Sequence, residues 1–333
     1  MPPSPVSPRP ISLSACLRSL WRWSERLLIA LVAAGTGLAF GLRDAVVPWT
    51  SLVFYATPLP LLTAGALAGI ALAALCRSRR RALAWGVLAC LLTGATLQRE
   101  VMSPEPQPHA VETLRVVTWN LYGGRAGQDA ILQALAESDG DLLCLSEVGH
   151  AGDSKRSFLH SLEAQLRARG YLVRAWPAAR LITAIRASEG ELHKQTWDSV
   201  PGVARILWTE ARWRGRPLQL ALADFRSKPT MDRSPGTERL LSRLGASPQP
   251  WLCLGDFNTP RASRCFDPWR EAGALHAFET AGSGYAPTWP APLPVLTLDH
   301  AWSSNGLRPL RADAPIRAES DHCPLILTFG WAP

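Results

Sequence analysis

The chain has 333 residues with 35 basic and 27 acidic side chains, a formal net charge of +8. Up to Leu97 there are nine Arg, no Lys and two acids, Glu25 and Asp44, a net of +7, so everything after Leu97 is near neutral at +1. This argues against a globally basic nucleic-acid binder, because the larger part has no long basic stripe to follow a phosphate backbone. The seven Cys include no CxxC pair, which argues against zinc-ribbon and thioredoxin-type sites.

The charge excess lies beside apolar sequence. Residues 27–42, 51–76 and 82–97 are three runs without a charged side chain, the second containing Pro58 and Pro60. A bilayer core needs about 20 apolar residues, and flanking Trp and Arg extend the shorter runs by snorkelling. The expectation is a cytoplasmic segment over 1–26, about three transmembrane helices within 27–97 and an extended linker over 98–111. Arg18, Arg22 and Arg26 precede the first run, and Arg77, Arg79, Arg80 and Arg81 separate the second from the third. The positive-inside rule puts both groups in the cytoplasm, and an odd number of spans puts the rest of the chain outside. The localisation expected is a bacterial inner or plasma membrane, multi-pass, with the bilayer as partner and no obligate protein partner evident. The first run also fits a cleavable signal, in which case the later spans still anchor the chain.

Residues 112–333 read as one domain. The run 114–118 is a buried strand ending in Trp119-Asn120, followed by the loop signal Gly123-Gly124. A helix face follows at Ile131, Leu132 and Leu135, then a strand over 141–145 and an amphipathic helix over 158–169. Strands are expected over 205–209, 218–225, 251–254, 297–302 and 324–329, with a helix over 237–244. Cys144 and Cys253 fall in apolar runs as small core residues, while Cys265 and Cys323 are left open as a disulfide if the domain is exported. The pattern suits a layered α+β fold.

Polar residues cluster where the strands end: Asn120, Ser146-Glu147, Gly255-Asp256-Phe257-Asn258, Asp299-His300 and Ser320-Asp321-His322. Singly, each has a plain reading as turn or helix-start chemistry. Together they supply carboxylates, carboxamides and an imidazole, the groups a hard cation and a phosphoester require. His109, His150, His160, His193 and His276 have no partner at ligand spacing and are assigned to linker, surface or helix positions. His300, adjacent to Asp299, is expected to face away from the cleft.

The segments VVTWNLYGG, DLLCLSEV, LCLGDFNTP, LDHAW and SDHCPLIL, in this order, resemble the endonuclease/exonuclease/phosphatase superfamily, which has a deoxyribonuclease I-like fold. The three apolar runs make the chain similar to a membrane-anchored bacterial branch of it. The resemblance implies a four-layer α/β/β/α sandwich and hydrolysis of a phosphoester, most simply a phosphodiester, with Mg2+ or Mn2+. It implies a metal site of Asn120, Glu147 and Asp321, with Glu147 the principal ligand. Asp256 would activate water, Asn258 would bind the phosphate, and His322 would stand beside the scissile bond, oriented by Asp299. Arg205 matches a basic position of many relatives. At Asp224 many relatives carry a His instead, which keeps open an alternative: a catalytically weakened relative that serves as a ligand-binding or scaffold domain at the membrane. The substrate could be a lipid head group, a nucleotide or nucleic acid.

Overall fold

The computed structural model describes residues 13–45, 49–102, 112–149 and 156–331; His109 and His150, and most of the expected linker, lie outside them. The first third is helical. Helix α1 (Leu13–Gly37) continues through a π-helical turn (Leu38–Leu42), and α2 (Trp49–Ala56), α3 (Leu59–Leu75) and α4 (Arg79–Glu100) follow. Two stretches are long and apolar enough to cross a membrane, Ser19–Leu42 and Arg79–Glu100. The second expected span is not one straight helix: α2 and α3 meet at an angle of 69°. Pro58 and Pro60 explain the break, since each removes a backbone donor and its ring clashes with the preceding turn. The helices pack through small residues. Gly69 lies against the ring of Trp85, where a Cβ would come within 2.2 Å. Their outer faces expose Leu20, Leu27, Leu31, Leu52, Leu67, Leu83 and Leu91, an arrangement suited to lipid rather than water.

After α4 come β1 (Val101–Met102), β2 (Thr113–Asn120), α5 (Gln128–Ser138), β3 (Leu142–Ser146), α6 (Arg156–Ala168), β4 (Tyr171–Trp176), β5 (Leu181–Arg186), β6 (Gly190–Val200), β7 (Ala204–Trp213) and β8 (Arg216–Phe225). Then follow α7 (Ser234–Gly245), β9 (Trp251–Asp256), α8 (Asp267–Glu271), β10 (Leu275–His276), α9 (Ala277–Ala281), β11 (Gly284–Tyr285), β12 (Asp299–Ser303), β13 (Leu307–Asp313) and β14 (Leu325–Trp331). Twelve of the strands form two six-stranded sheets, ordered β13-β14-β2-β3-β5-β4 and β10-β12-β9-β8-β7-β6, and β1 pairs with β11 in a two-stranded sheet. Each six-stranded sheet has one parallel pair, β2 with β3 and β8 with β9, and each such pair is joined through a helix, α5 or α7.

Alternation along the strands builds the layers. Leu114, Val116, Leu142 and Cys144 face Leu218, Leu220, Leu222, Leu252 and Leu254 between the sheets. The opposite faces carry Val117, Trp119, Leu143 and Leu145 under α5 and α6, and Trp208, Phe225, Trp251 and Cys253 under α7 and α8. This is a two-sheet sandwich with helices on both outer faces. Cys265 and Cys323 are free, so the possible disulfide between them is absent.

The same alternation places the chemistry. Arg205, Asp224, Asp256 and Asp299 continue the inner-face rows of β7, β8, β9 and β12 beyond the last apolar residue. Pairing aligns them in one line across four neighbouring strands: Arg205 opposite Asp224, Asp224 opposite Asp256, Asp256 opposite Asp299. In the other sheet Asn120 pairs with Ser146, and Glu147 follows at once.

Gly255 makes the line possible. Its φ is +129° and a Cβ there would lie 2.0 Å from the Ala223 carbonyl oxygen on β8. Gly255→Ala is therefore expected to lower stability by about 2–4 kcal/mol and to displace Asp256. Denaturant unfolding of the two proteins in the same detergent checks this, and equal midpoints would show that the close β8–β9 approach is not required.

Candidate active site

The centre of the cluster is Asp256, buried at the end of β9. It accepts from the Asn258 backbone N–H at 2.8 Å, from Asn258 Nδ2 at 2.9 Å and from Asn120 Nδ2 at 2.9 Å. Asn258 donates again to the Phe225 carbonyl at 2.8 Å, so its amide group is committed to holding Asp256 in place. Its φ of +46° is one that Asn tolerates better than most residues. Asn120 Oδ1 accepts from Tyr122 N–H at 2.9 Å, which fixes the amide orientation.

His322 faces Asp256 from the other sheet's loop. Its Nδ1 donates to Asp299 Oδ2 at 2.8 Å and its Nε2 lies 3.8 Å from Asp256 Oδ2. Burial disfavours the imidazolium, but Asp299 and Asp256 together outweigh it and hold the His322 pKa well above the ordinary value. Burial raises the Asp256 pKa, opposed by His322 and reinforced by Asp299 and Asp224. The centre thus couples a readily protonated imidazole to a carboxyl lifted out of the usual acid range.

Asp224 forms a buried ion pair with Arg205, whose side chain is one-third exposed. Burial still raises Asp224 to about 6, against the pull of Arg205 and with help from Glu147. Carboxylate oxygens of Glu147, Asp224 and Asp256 lie within 4.8 Å of one another, as do ligand atoms of Asp256, Asp299 and His322. Three acids this close repel unless a cation or protons intervene, and an all-oxygen set is what Mg2+ or Mn2+ takes. The residues therefore fit such an ion. Glu147 sits in a left-handed turn, φ +50°, held where Gly123 N–H donates to its carbonyl at 2.9 Å. Asp321 belongs to neither cluster. Its carboxyl pKa is raised by burial, and its Oδ1 has no partner among the described residues.

Several supporting residues carried no separate role in the sequence reading. Ser320 Oγ donates to the Asn120 carbonyl at 2.7 Å and accepts from His322 N–H at 3.2 Å, while Trp119 Nε1 donates to the His322 carbonyl at 2.8 Å. These bonds fix the loop before β14 against the end of β2 in the same sheet, while His322–Asp299 and Asn120–Asp256 reach across to the other sheet. Thr288 Oγ1 accepts from the N–H groups of Leu298 and Asp299 at 3.1 and 3.2 Å. Beside Glu147 and Asp224 opens a cleft of about 580 Å3 lined also by Arg180, Arg226, Lys228 and Trp197. The Ser-Asp-His segment was the visible signal for Ser320; the cationic cleft wall is assembled from distant loops and had none.

His276 is not a surface or linker residue: it is buried and bonded to His300. His300 Nε2 lies 2.7 Å from the Thr259 carbonyl and must donate to it, so Nδ1 accepts from His276 Nε2 at 3.0 Å. His276 Nδ1 in turn accepts from Glu279 N–H. Every polar atom of the pair is satisfied only when both rings are neutral.

These features belong to a known family. A family model described as "Endonuclease/Exonuclease/phosphatase family" matches residues 117–322. The chain belongs to that family. No curated protein sequence matches it. Among solved structures it is similar to a humanized TDP2 of D. rerio, at 17% identity and a TM-score of 0.54, over 66% of this chain and 99% of that one. It is similar to a mannosyl-6-phosphatase of Bacteroides thetaiotaomicron, at 16% and 0.53, over 66% and 100%. It is also similar to the human Nocturnin catalytic domain, at 19% and 0.51, over 67% and 97%. At these identities the likeness shows the shared two-sheet fold.

The neutral His pair has a pH consequence. Burial, then neighbouring charges, depresses both pKa values, His300 to about 3 with His276 second in cause. Unfolded His titrates near about 6.5. The stabilisation is present above that pH and is lost as pH falls toward the folded values, by about 1.4 kcal/mol per pH unit for each ring. Asp224 and Asp256, whose pKa values are raised, act in the opposite sense, so the measurement is the wild-type slope minus that of His300→Gln. Between pH 6 and 4.5 the wild type should lose the extra amount; parallel slopes would rule out a neutral His300.

Proposed function

We propose that this protein is a membrane-anchored phosphoester hydrolase, dependent on Mg2+ or Mn2+, that acts on a substrate presented outside the cytoplasm. The observation carrying the reading is the registered line Arg205–Asp224–Asp256–Asp299, closed by His322 and Glu147. A structural role alone does not call for three acids on adjacent strands within reach of an imidazole, whereas water activation beside phosphorus does. Glu147, within ligand reach of Asp224 and Asp256 and with Asn120 bonded to Asp256, would hold the ion, which would supply charge neutralisation and polarisation of the phosphoryl group. Asp256 takes the proton of the attacking water, and Asn120 and Asn258 hold its carboxylate in line. His322, kept protonated by Asp299, donates to the phosphate oxygen or the leaving group.

Asp224 no longer argues for a weakened enzyme. It cannot donate as a His does, but it orients Arg205, and a guanidinium donates to phosphate with a matched fork. Arg180, Arg226 and Lys228 add positive charge along the same cleft, which suits an anionic substrate, and Trp197 offers it a ring face. Membrane attachment favours a phosphoester carried by a lipid. TDP2, the mannosyl-6-phosphatase and Nocturnin share the fold, and the phosphatase name supports phosphoester chemistry. The orientation rests on Arg77 and on Arg79, Arg80 and Arg81 in the first turn of α4, at the opposite end of that helix from the catalytic domain.

The test uses the full chain in detergent with Mg2+, Mn2+ or chelator, offered a model diester, a phosphomonoester, phospholipids and single- and double-stranded DNA. Metal-dependent release from one class is expected. Glu147→Ala and His322→Ala should each lower kcat by about 10^2–10^4-fold; wild-type turnover in either would remove it from the mechanism. Arg205→Gln should lower kcat/KM by about 10–100-fold, in the range of about 1.4–2.7 kcal/mol for one charged phosphate contact. Unchanged kinetics would return Asp224 to a purely structural role.

A further inference from the structure

The catalytic domain does not hang from a loose tether. At the end of α1, Arg43 donates to Asp267 and to the Ala262 carbonyl, and Asp44 accepts from Ser263 and from Arg264 N–H. At the end of α4, the Glu100 carbonyl accepts from Ala286 N–H, and β1 pairs with β11. Between these attachments lies a cavity of about 550 Å3 that shares no residue with the catalytic cleft.

Its walls are of two kinds. Arg43, Arg99, Arg261 and Arg270 supply the charged lining, and Phe40, Phe54 and Leu59 the apolar lining. Asp267 and Glu279 balance Arg43 and Arg270, and Glu100 pairs with Arg261 at 3.2 Å. Arg99 has no carboxylate partner among the described residues; it donates to the Ala39 carbonyl and lies 4.5 Å over the Phe40 ring. Arg261 has only 9% of its side chain exposed, and its Nη1 finds no acceptor. A buried guanidinium N–H without a partner is uncommon, because the lost hydration must be replaced. An adjoining anion would replace it.

Depth identifies the kind of anion. Helix α4 has 22 residues, about 33 Å of helix, against a hydrocarbon core of about 30 Å. Arg99 lies in its last turn, and Arg43 follows the turn that ends the first span, so both stand at head-group level on one face of the bilayer.

We propose that this cavity binds the phosphate of an anionic phospholipid, held by Arg99 and Arg261, with the acyl chains leaving past Phe40, Phe54 and Leu59. The inference rests on the membrane reading above but not on the hydrolase reading. The bound lipid is a resident ligand rather than the substrate, since Glu147, Asp256 and His322 lie outside the cavity.

The full chain in neutral detergent, with chelator present, is titrated calorimetrically with dihexanoyl phosphatidylglycerol, dihexanoyl phosphatidylcholine and inorganic phosphate. Saturable binding of phosphatidylglycerol is expected, at least ten-fold weaker in Arg261→Gln and in Arg99→Gln. It should be unchanged in Arg212→Gln, on an exposed hairpin, and in Glu147→Ala. Arg261→Lys keeps the charge and loses the fork, so it should bind with intermediate affinity; it and Arg99→Gln carry the test if Arg261→Gln loses its circular dichroism. Equal affinity for inorganic phosphate would overturn the lipid in favour of a small anion. Equal affinity for phosphatidylcholine, no binding, or indifference to both Arg variants would overturn the site. Carbonate extraction of native membranes tests the anchor separately: a released chain that still binds phosphatidylglycerol refutes the membrane placement and not the cavity.

Discussion

Three carboxylates in register on adjacent strands are the constraint around which this domain is organised. Neighbouring strands lie about 4.8 Å apart, so Asp224, Asp256 and Asp299 would repel strongly in a low-dielectric interior if all were ionised and alone. The fold answers at both ends and in the middle. Arg205 closes the line on β7, His322 is drawn in over Asp299 and Asp256, and Asn120 and Asn258 donate to Asp256. What remains uncompensated, between Glu147, Asp224 and Asp256, is the place where a divalent cation is most strongly favoured. The same electrostatic problem thus accounts for the ion pair, the raised acid and the protonated imidazole.

The inner faces of the two sheets explain why such a line can exist without a helix to build it. Between the sheets the rows are mainly apolar, with only uncharged Thr183 and Thr209 inside them, and the charged inner positions stand at the strand ends. Those positions coincide with the carboxyl ends of both parallel pairs, where chain direction turns into loops that need not be filled with apolar groups. The outer-face His276–His300 pair shows the opposite solution. There the polar atoms are buried among Phe257, Phe266 and Trp302 and satisfied internally, so the rings are kept neutral. Adjacent residues Asp299 and His300 therefore belong to different chemistries because β12 sends them to opposite faces.

Much of this was legible in the sequence. The buried strands β2, β3, β8 and β9 announce themselves as short apolar runs, and the polar residues ending them are the site. The strands not foreseen are β1, β4, β5, β6, β10, β11 and β13; β4, β6, β10 and β13 are the sheet edges, and β6 reads Gly-Glu-Leu-His-Lys-Gln-Thr-Trp-Asp-Ser-Val with few buried positions, whereas β5 is a short buried run of six residues next to the edge. An edge strand has one solvated side and needs no clear alternation. His276 caps the start of α9, one of the positions expected for it, but a lone His near a helix start carries no sign of its buried partner 24 residues later. The bend between α2 and α3 was foreshadowed by two Pro residues in an otherwise uninterrupted apolar run. Composition alone favoured one span there, and backbone sterics overrode it.

At Asp224 the resemblance implies a His, and the position shows how a site can change its parts and keep its electrostatics. A His at the end of β8 would present a donor directly. Asp224 presents an acceptor instead, and this would remove a contact if nothing else differed. But Arg205 lies opposite it on β7, in hydrogen-bonding register, and one-third of its side chain faces the cleft. The pair places a cation one strand further from Asp256 than a His on β8 would be. Arg205 lines the same cleft as Arg226 and Lys228. Under the proposed function a substrate gripped there would extend along β7 and β8. Under the proposed function the departure is a change in where the anionic part of the substrate would lie, with Asp256 and His322 left in place.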